Sequence, residues 1–224
     1  MPDAIGFDVY GTLVDPLGMC RHLEAVAGDL AGPMARLWRE KQIEYTFRRA
    51  LMQQYENFDV CTAQALDFAA DNLKLRLQNA DRAALMEAYR RLPAFADALP
   101  AIRTLKASGF KLAAFSNGVE ASLRALLEHA GILPLLDAVI SVDDLKTYKP
   151  DPRVYRYLAE RVGVPLESTW LASSNGWDVM GAKAAGLRAA WIKRNPESLL
   201  DPWGITPDLV APNLQDFSSH LQSR

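Results

Sequence analysis

The strand pattern of this 224-residue chain is broken once, and the place of the break constrains the fold more than any other feature. Residues 4–9 form a short apolar run that stops in the polar, glycine-containing turn Asp8-Val9-Tyr10-Gly11-Thr12, as a buried strand does. Residues 16–92 offer no convincing strand. Within them, 34–51, 62–77 and 81–92 repeat apolar residues at helical spacing, with Thr62 and Asp81 as the expected N-caps. Beyond Pro93 strand and helix alternate. A helix through Ile102 and Leu105 stops at Gly109, and a strand follows over 110–115. The next helix carries Leu123, Leu126, Leu127 and Ala130 and ends at Gly131, and further strands are expected over 139–142, 169–172 and 189–192.

Strands separated by helices pair in parallel through crossovers. The expected fold class is therefore α/β, a Rossmann-like parallel sheet core interrupted after its first strand by an all-helical cap. The core takes residues 1–14 and 94–224, and the inserted cap takes 15–93. Ligands bind outside the carboxyl ends of such strands, so the cap is expected over that edge. The chain shows no internal repeat and no low-complexity tract.

A net charge of −2, with 23% charged residues, gives no basic face for nucleic acid or anionic lipid. The first ten residues lack the basic start and long apolar stretch of a signal peptide, and no run reaches membrane-spanning length. A small-molecule partner and a cytoplasmic location are the expectation. Cys20 and Cys61 have no metal-ligand spacing, which suits free thiols in a reducing compartment.

Four polar clusters fall directly after expected strands: Asp8 to Thr12, Ser116-Asn117-Gly118, Lys149-Pro150, and Ser173-Ser174-Asn175-Gly176-Trp177-Asp178. Each alone is an ordinary turn or cap. In this order they resemble the haloacid dehalogenase superfamily, whose signature is a first-strand Asp before Gly-Thr-Leu, then a Ser or Thr, a Lys, and an acidic last loop. The resemblance covers almost the whole chain and implies that Asp8 is a nucleophile forming a covalent intermediate, with Ser116 and Lys149 at the second and third positions.

Most members of that superfamily are magnesium-dependent phosphohydrolases, and this chain departs from them twice. Tyr10 stands where phosphatases place a second Asp as proton donor. Ser174 stands where they place a metal-binding Asp, and a hydroxyl is a poor ligand for a hard dication. Halide, the anion of a strong acid, leaves without a proton or a metal. Within the superfamily the chain is most similar to the L-2-haloacid dehalogenases, whose likeness extends through residues 37–46 (LWREKQIEYT) and the Ser-Ser-Asn-x-Trp-Asp loop.

That resemblance implies hydrolysis of a small 2-haloalkanoic acid by water through an ester on Asp8, with no metal and no other cofactor. The implied catalytic set is Asp8, Lys149, Asp178, Asn175, Ser173 and Thr12, with Asp178 and Asn175 positioning or activating the water. Arg39 is the halide acceptor, closed in by Asn117, Trp177 and Tyr10. Ser116 and Thr12 are placed to bind the substrate carboxylate or, alternatively, to form their turns; Phe58 narrows the apolar side or simply packs; and Tyr155, with packing as its alternative, and Ser174 support the cluster. A homodimer is implied by analogy. The competing readings are a magnesium-dependent phosphatase or phosphonatase on altered motifs, and a non-catalytic binding protein on the same scaffold.

Overall fold

The computed structural model describes residues 3–223. Its centre is β1 (Ala4–Phe7), whose four positions are all buried, with strands on both edges and helical residues such as Leu158 and Phe217 packed on its faces. The chain then enters the helical block, with α1 (Cys20–Ala27), α2 (Ala31–Leu51), α3 (Phe58–Asn72) and α4 (Asn79–Tyr89). It returns through α5 (Ala98–Ala107) to β2 (Lys111–Ser116), α6 (Glu120–His129), β3 (Ala138–Ser141) and α7 (Pro152–Val162). The remainder is β4 (Thr169–Ser173), α8 (Gly176–Ala184), β5 (Arg188–Ile192), β6 (Leu209–Ala211) and α9 (Leu214–Gln222).

The six strands form one parallel sheet in the order β3-β2-β1-β4-β5-β6. Strand order reverses at β1, so a crevice opens at its carboxyl end between β2 and β4. Helix α7 lies tight against β1: a Cβ on Gly6 would stand 2.5 Å from Leu158 Cδ2, so a larger residue there would have to displace that side chain. Entry to and exit from the helical block run side by side. Asp15 N–H donates to Pro93 O at 2.9 Å and Phe95 N–H to Leu13 O at 2.9 Å, flanking a bridge between Val14 and Ala94.

The α/β class and the strandless block between β1 and β2 follow the sequence, but two caps do not. Helix α3 begins at Phe58 and is capped by Asn57, whose Oδ1 accepts from Val60 N–H at 3.0 Å. Thr62 lies inside that helix, donating back to Phe58 O at 2.7 Å. Asp81 sits three residues past the cap of α4 and accepts from Gln78 N–H at 3.1 Å. Helix α1 and the three-residue β6 escape the sequence pattern altogether. Both cysteines are free, and no helix among the described residues is long and apolar enough to cross a membrane.

Candidate active site

The sheet side of the site is an ionic cluster at the strand ends. Asp8 follows β1 directly, is 5% exposed, and its N–H is held by Ala172 O of β4. The Lys149 ammonium, 1% exposed, spends its three protons on Asp8 Oδ1 (3.1 Å), Asp178 Oδ2 (3.0 Å) and Phe115 O (2.9 Å). Asp8 Oδ2 accepts from Asn175 Nδ2 at 2.8 Å and from the Thr12 hydroxyl at 3.0 Å. Both carboxylate oxygens are thereby fixed before any ligand arrives.

Asp178, on the first turn of α8, is fully buried, and Tyr155 from α7 donates to its Oδ1 at 2.8 Å. Burial raises the Asp178 carboxyl above the ordinary aspartate range; Lys149 pulls it back down, and the charge of Asp8 adds to the rise. Burial likewise pushes the Tyr155 phenol well up, with Asp178 contributing, so Tyr155 is a neutral donor at working pH.

The helical side is aromatic and carries one cation. Tyr10 is buried against Phe58 and Tyr89, with ring centroids 5.2 and 5.6 Å away. Burial drives its phenol well above the ordinary value, so Tyr10 offers an uncharged wall. The Arg39 guanidinium, from α2, donates to Tyr10 O at 3.2 Å and to Gln42 Oε1 at 2.7 Å. Gln42 is fully buried and held at both ends of its amide: the same Oε1 accepts from Tyr89 OH at 2.9 Å, and Nε2 donates to Thr62 Oγ1 at 2.6 Å.

One pocket joins the two sides. It is lined by Asp8, Tyr10, Arg39, Phe58, Ser116, Asn117, Asn175 and Trp177, all anticipated from sequence, and by Ile43, which was not. The turn after β2 is pinned beneath it: Ser116 Oγ accepts from Gly118 N–H at 3.1 Å, and Asn117 Oδ1 accepts from Lys149 N–H at 3.0 Å.

Two anticipated residues, Thr12 and Ser173, take other positions, and Ser174 lies in a supporting one. Thr12, expected at the substrate carboxylate, is fully buried. Its hydroxyl is spent on Asp8 and it accepts from Ser174 N–H at 2.9 Å, so it orients the nucleophile loop instead. Ser173 is also fully buried, and its Oγ accepts from Asn175 N–H at 3.2 Å, shaping the turn that presents the Asn175 amide. Ser174 donates to Gly11 O at 2.6 Å and clamps the same loop, where Gly11 has φ +93°. Gln42 and Tyr89 were missed. The one sequence signal for Gln42 is its spacing of three residues from Arg39 on a helix face that also carries Trp38.

The donor set does not fit the Mg²⁺ that most of the superfamily uses. Ser174 stands at the position of a metal-binding Asp and supplies only a neutral hydroxyl already committed to Gly11 O. No group of three His, Cys, Asp or Glu among the described residues could hold a metal.

A parallel α/β sheet with a buried carboxylate at the end of its central strand and a helical block facing it defines a class of hydrolase. Residues 2–186 match the family model for haloacid dehalogenase-like hydrolases. An (S)-2-haloacid dehalogenase of Pseudomonas putida is 37% identical over 97% of this chain and 95% of its own length. Haloacetate dehalogenase H-2 of a Moraxella species is 37% identical over 98% and 97%. The crystal structure of L-2-haloacid dehalogenase from Xanthobacter autotrophicus with chloropropionic acid covalently bound superposes with a TM-score of 0.94, at 31% identity and 99% coverage of each chain. The chain belongs to the haloacid dehalogenase-like hydrolases and, within them, to the (S)-2-haloacid dehalogenase family.

Proposed function

We propose that this protein is an (S)-2-haloacid dehalogenase that converts L-2-haloacids to D-2-hydroxyacids and halide. The observation that carries the reading is the pocket in which a preorganised carboxylate, Asp8, and a single cation from the opposite wall, Arg39, both face the same small space. An in-line displacement needs that arrangement: a nucleophile on one side of C2 and a halide acceptor on the other.

In the first step an Asp8 oxygen attacks C2, the carbon–halogen bond breaks with its electron pair on the halide, and C2 inverts. Oδ1, with one donor against two on Oδ2, keeps the freer lone pair for attack. Arg39 receives the halide beside Asn117 and Trp177, and the Ser116–Asn117 turn takes the substrate carboxylate. In the second step water attacks the Asp8 carbonyl carbon. Asp178 accepts its proton, the acyl–oxygen bond breaks, and the alkoxide leaves as the 2-hydroxyacid once protonated. Lys149 orients Asp8 before attack and holds Asp178 in place afterwards. Tyr155 fixes the other Asp178 oxygen, and Thr12, Ser173, Ser174 and Asn175 hold the nucleophile loop.

Residues 15–93 act in this reading as a cap over a core of 1–14 and 94–224. The enzyme works in the cytoplasm, in keeping with its free cysteines, and as a homodimer, to which exposed Met52 and Phe68 on the helical block lend support.

The test is halide release from L-2-chloropropionate in the presence of EDTA, set beside phosphate-ester hydrolysis with Mg²⁺. Chloride release with D-lactate as product is expected; phosphatase activity without halide release, or neither activity, overturns the proposal. A single turnover in ¹⁸O-water then places label in the Asp8 carboxylate if the ester forms, and only in the product if water attacks C2 directly.

A further inference from the structure

The catalytic pocket shares a wall with a second, larger space. Helix α2 carries Arg39, Ile43 and Phe47 one turn apart on one face; the first two line the catalytic pocket, and Phe47 lines an apolar groove of about 740 Å³. Trp177 lines both, and Phe47 meets it edge-on, with ring centroids 5.1 Å apart and planes at 82°. Both rings are partly exposed. Beyond the pair the groove runs between Leu51 of α2 and Met180 and Ala184 of α8, toward Trp203.

The charged and hydroxyl side chains of the groove are already committed, leaving the indole N–H groups of Trp177 and Trp203 as its free donors. Thr147 donates to Asp151 at 3.2 Å, Asp151 holds Arg153 at 2.6 Å, and the Lys149 ammonium is spent on the catalytic cluster. A space lined in this way selects hydrocarbon over a charged or hydroxylated ligand. In the catalytic pocket the substrate carboxylate and halide are drawn to the Ser116–Asn117 turn and to Arg39. The third substituent of C2 is left to the apolar walls, Ile43, Phe58 and Trp177, and Trp177 is the wall that borders the groove.

We propose that the groove is a subsite for the alkyl tail of the substrate and that the Phe47–Trp177 ring pair is its door. It makes medium-chain 2-haloalkanoates substrates alongside three-carbon ones. The inference rests on the dehalogenase reading above. A second copy of this chain could also cover apolar surface, but from outside it would leave chain-length preference untouched.

The experiment compares kcat/KM for (S)-2-bromopropanoate, -butanoate, -hexanoate and -octanoate in wild type, Phe47→Ala and Ala184→Phe, with sedimentation of each. Because a buried methylene is worth roughly fourfold in binding, the wild type should lose little or nothing from propanoate to octanoate. Ala184 lies on the exposed end of α8, away from the catalytic cluster. Filling the groove there should lower octanoate efficiency roughly tenfold or more while leaving propanoate within about twofold. Opening the door with Phe47→Ala should raise octanoate relative to propanoate. A steep decline beyond butanoate that Phe47→Ala does not relieve overturns the proposal, as does octanoate turnover indifferent to Ala184→Phe. A change of assembly state in Ala184→Phe with an unaltered chain-length profile overturns it too and assigns the groove to a protein contact. Failure to turn over propanoate strikes the dehalogenase reading instead.

Discussion

On the sheet side of the pocket, Asp8, Lys149 and Asp178 are each at most 5% exposed and fix one another through charged hydrogen bonds. On the helical side, Arg39 is partly exposed and is aimed by two neutral acceptors, the Tyr10 carbonyl and the amide of Gln42, which is itself aimed by Thr62 and Tyr89. The two walls therefore respond differently to damage. Removing a charge from the first leaves another charge buried without compensation, so stability and chemistry fall together. Removing a group from the second costs a neutral bond or an exposed cation, so chemistry can be altered while the fold survives.

The widest separation should come from Lys149→Met. It strands Asp8 and Asp178 beside each other, and denaturant unfolding should show a loss of about 3–5 kcal/mol with turnover below detection. A melting curve unchanged from wild type would mean that the cluster is not the ionic keystone described.

Asp178→Asn should leave attack intact and slow ester hydrolysis roughly 10²- to 10⁴-fold, so mass spectrometry should find Asp8 carrying the substrate's carboxyalkyl mass after halide release. The same base sets a pH limit in the wild type. Its burial-raised carboxyl must be ionised to accept a proton, so hydrolysis fails as pH falls through a value above the ordinary aspartate range. A pH-rate profile whose acid limb sits at the free-aspartate value would remove Asp178 from that role.

Arg39→Ala should cost roughly a hundredfold in kcat/KM with little change in melting temperature, and the loss should be greater for chloride than for bromide as leaving group. The smallest effect belongs to Gln42→Ala: a loss of about 1–3 kcal/mol in stability from unsatisfied neighbours, and roughly a tenfold drop in turnover. Its turnover loss should vanish in an Arg39→Ala background, because Gln42 acts through Arg39; full additivity in that double-mutant cycle would show separate roles.

Part of the first wall was legible in sequence, because Asp8 and the Ser173–Asp178 loop follow apolar runs that end in polar turns and strand ends converge in a parallel sheet; Lys149 lies beyond a further helical turn after β3 and was reached through the resemblance. Residues of the second wall were legible only where a resemblance pointed to them. Gln42 reads as one more polar residue on a helix, and its burial depends on Thr62 and Tyr89 from two other helices. Thr62 and Asp81 misled for a related reason. Each is a residue type that caps helices, yet Thr62 bonds within α3, and Asp81 closes a cap begun by Gln78. Thr12 was placed by chemistry that suited the ligand, whereas its hydroxyl answers to Asp8. The Phe47–Trp177 contact joins distant parts of the chain, and no local pattern announces it.

The paired backbone crossings at Val14 and Ala94 carry a consequence for descent. Because the chain leaves the sheet and rejoins it at neighbouring points, the whole excursion hangs from one stem. Lineages can lengthen, trim or exchange it without disturbing the register of β1 against β2 and β4. Inheritance can thus hold the nucleophile constant while selection rewrites the surface that greets the leaving group.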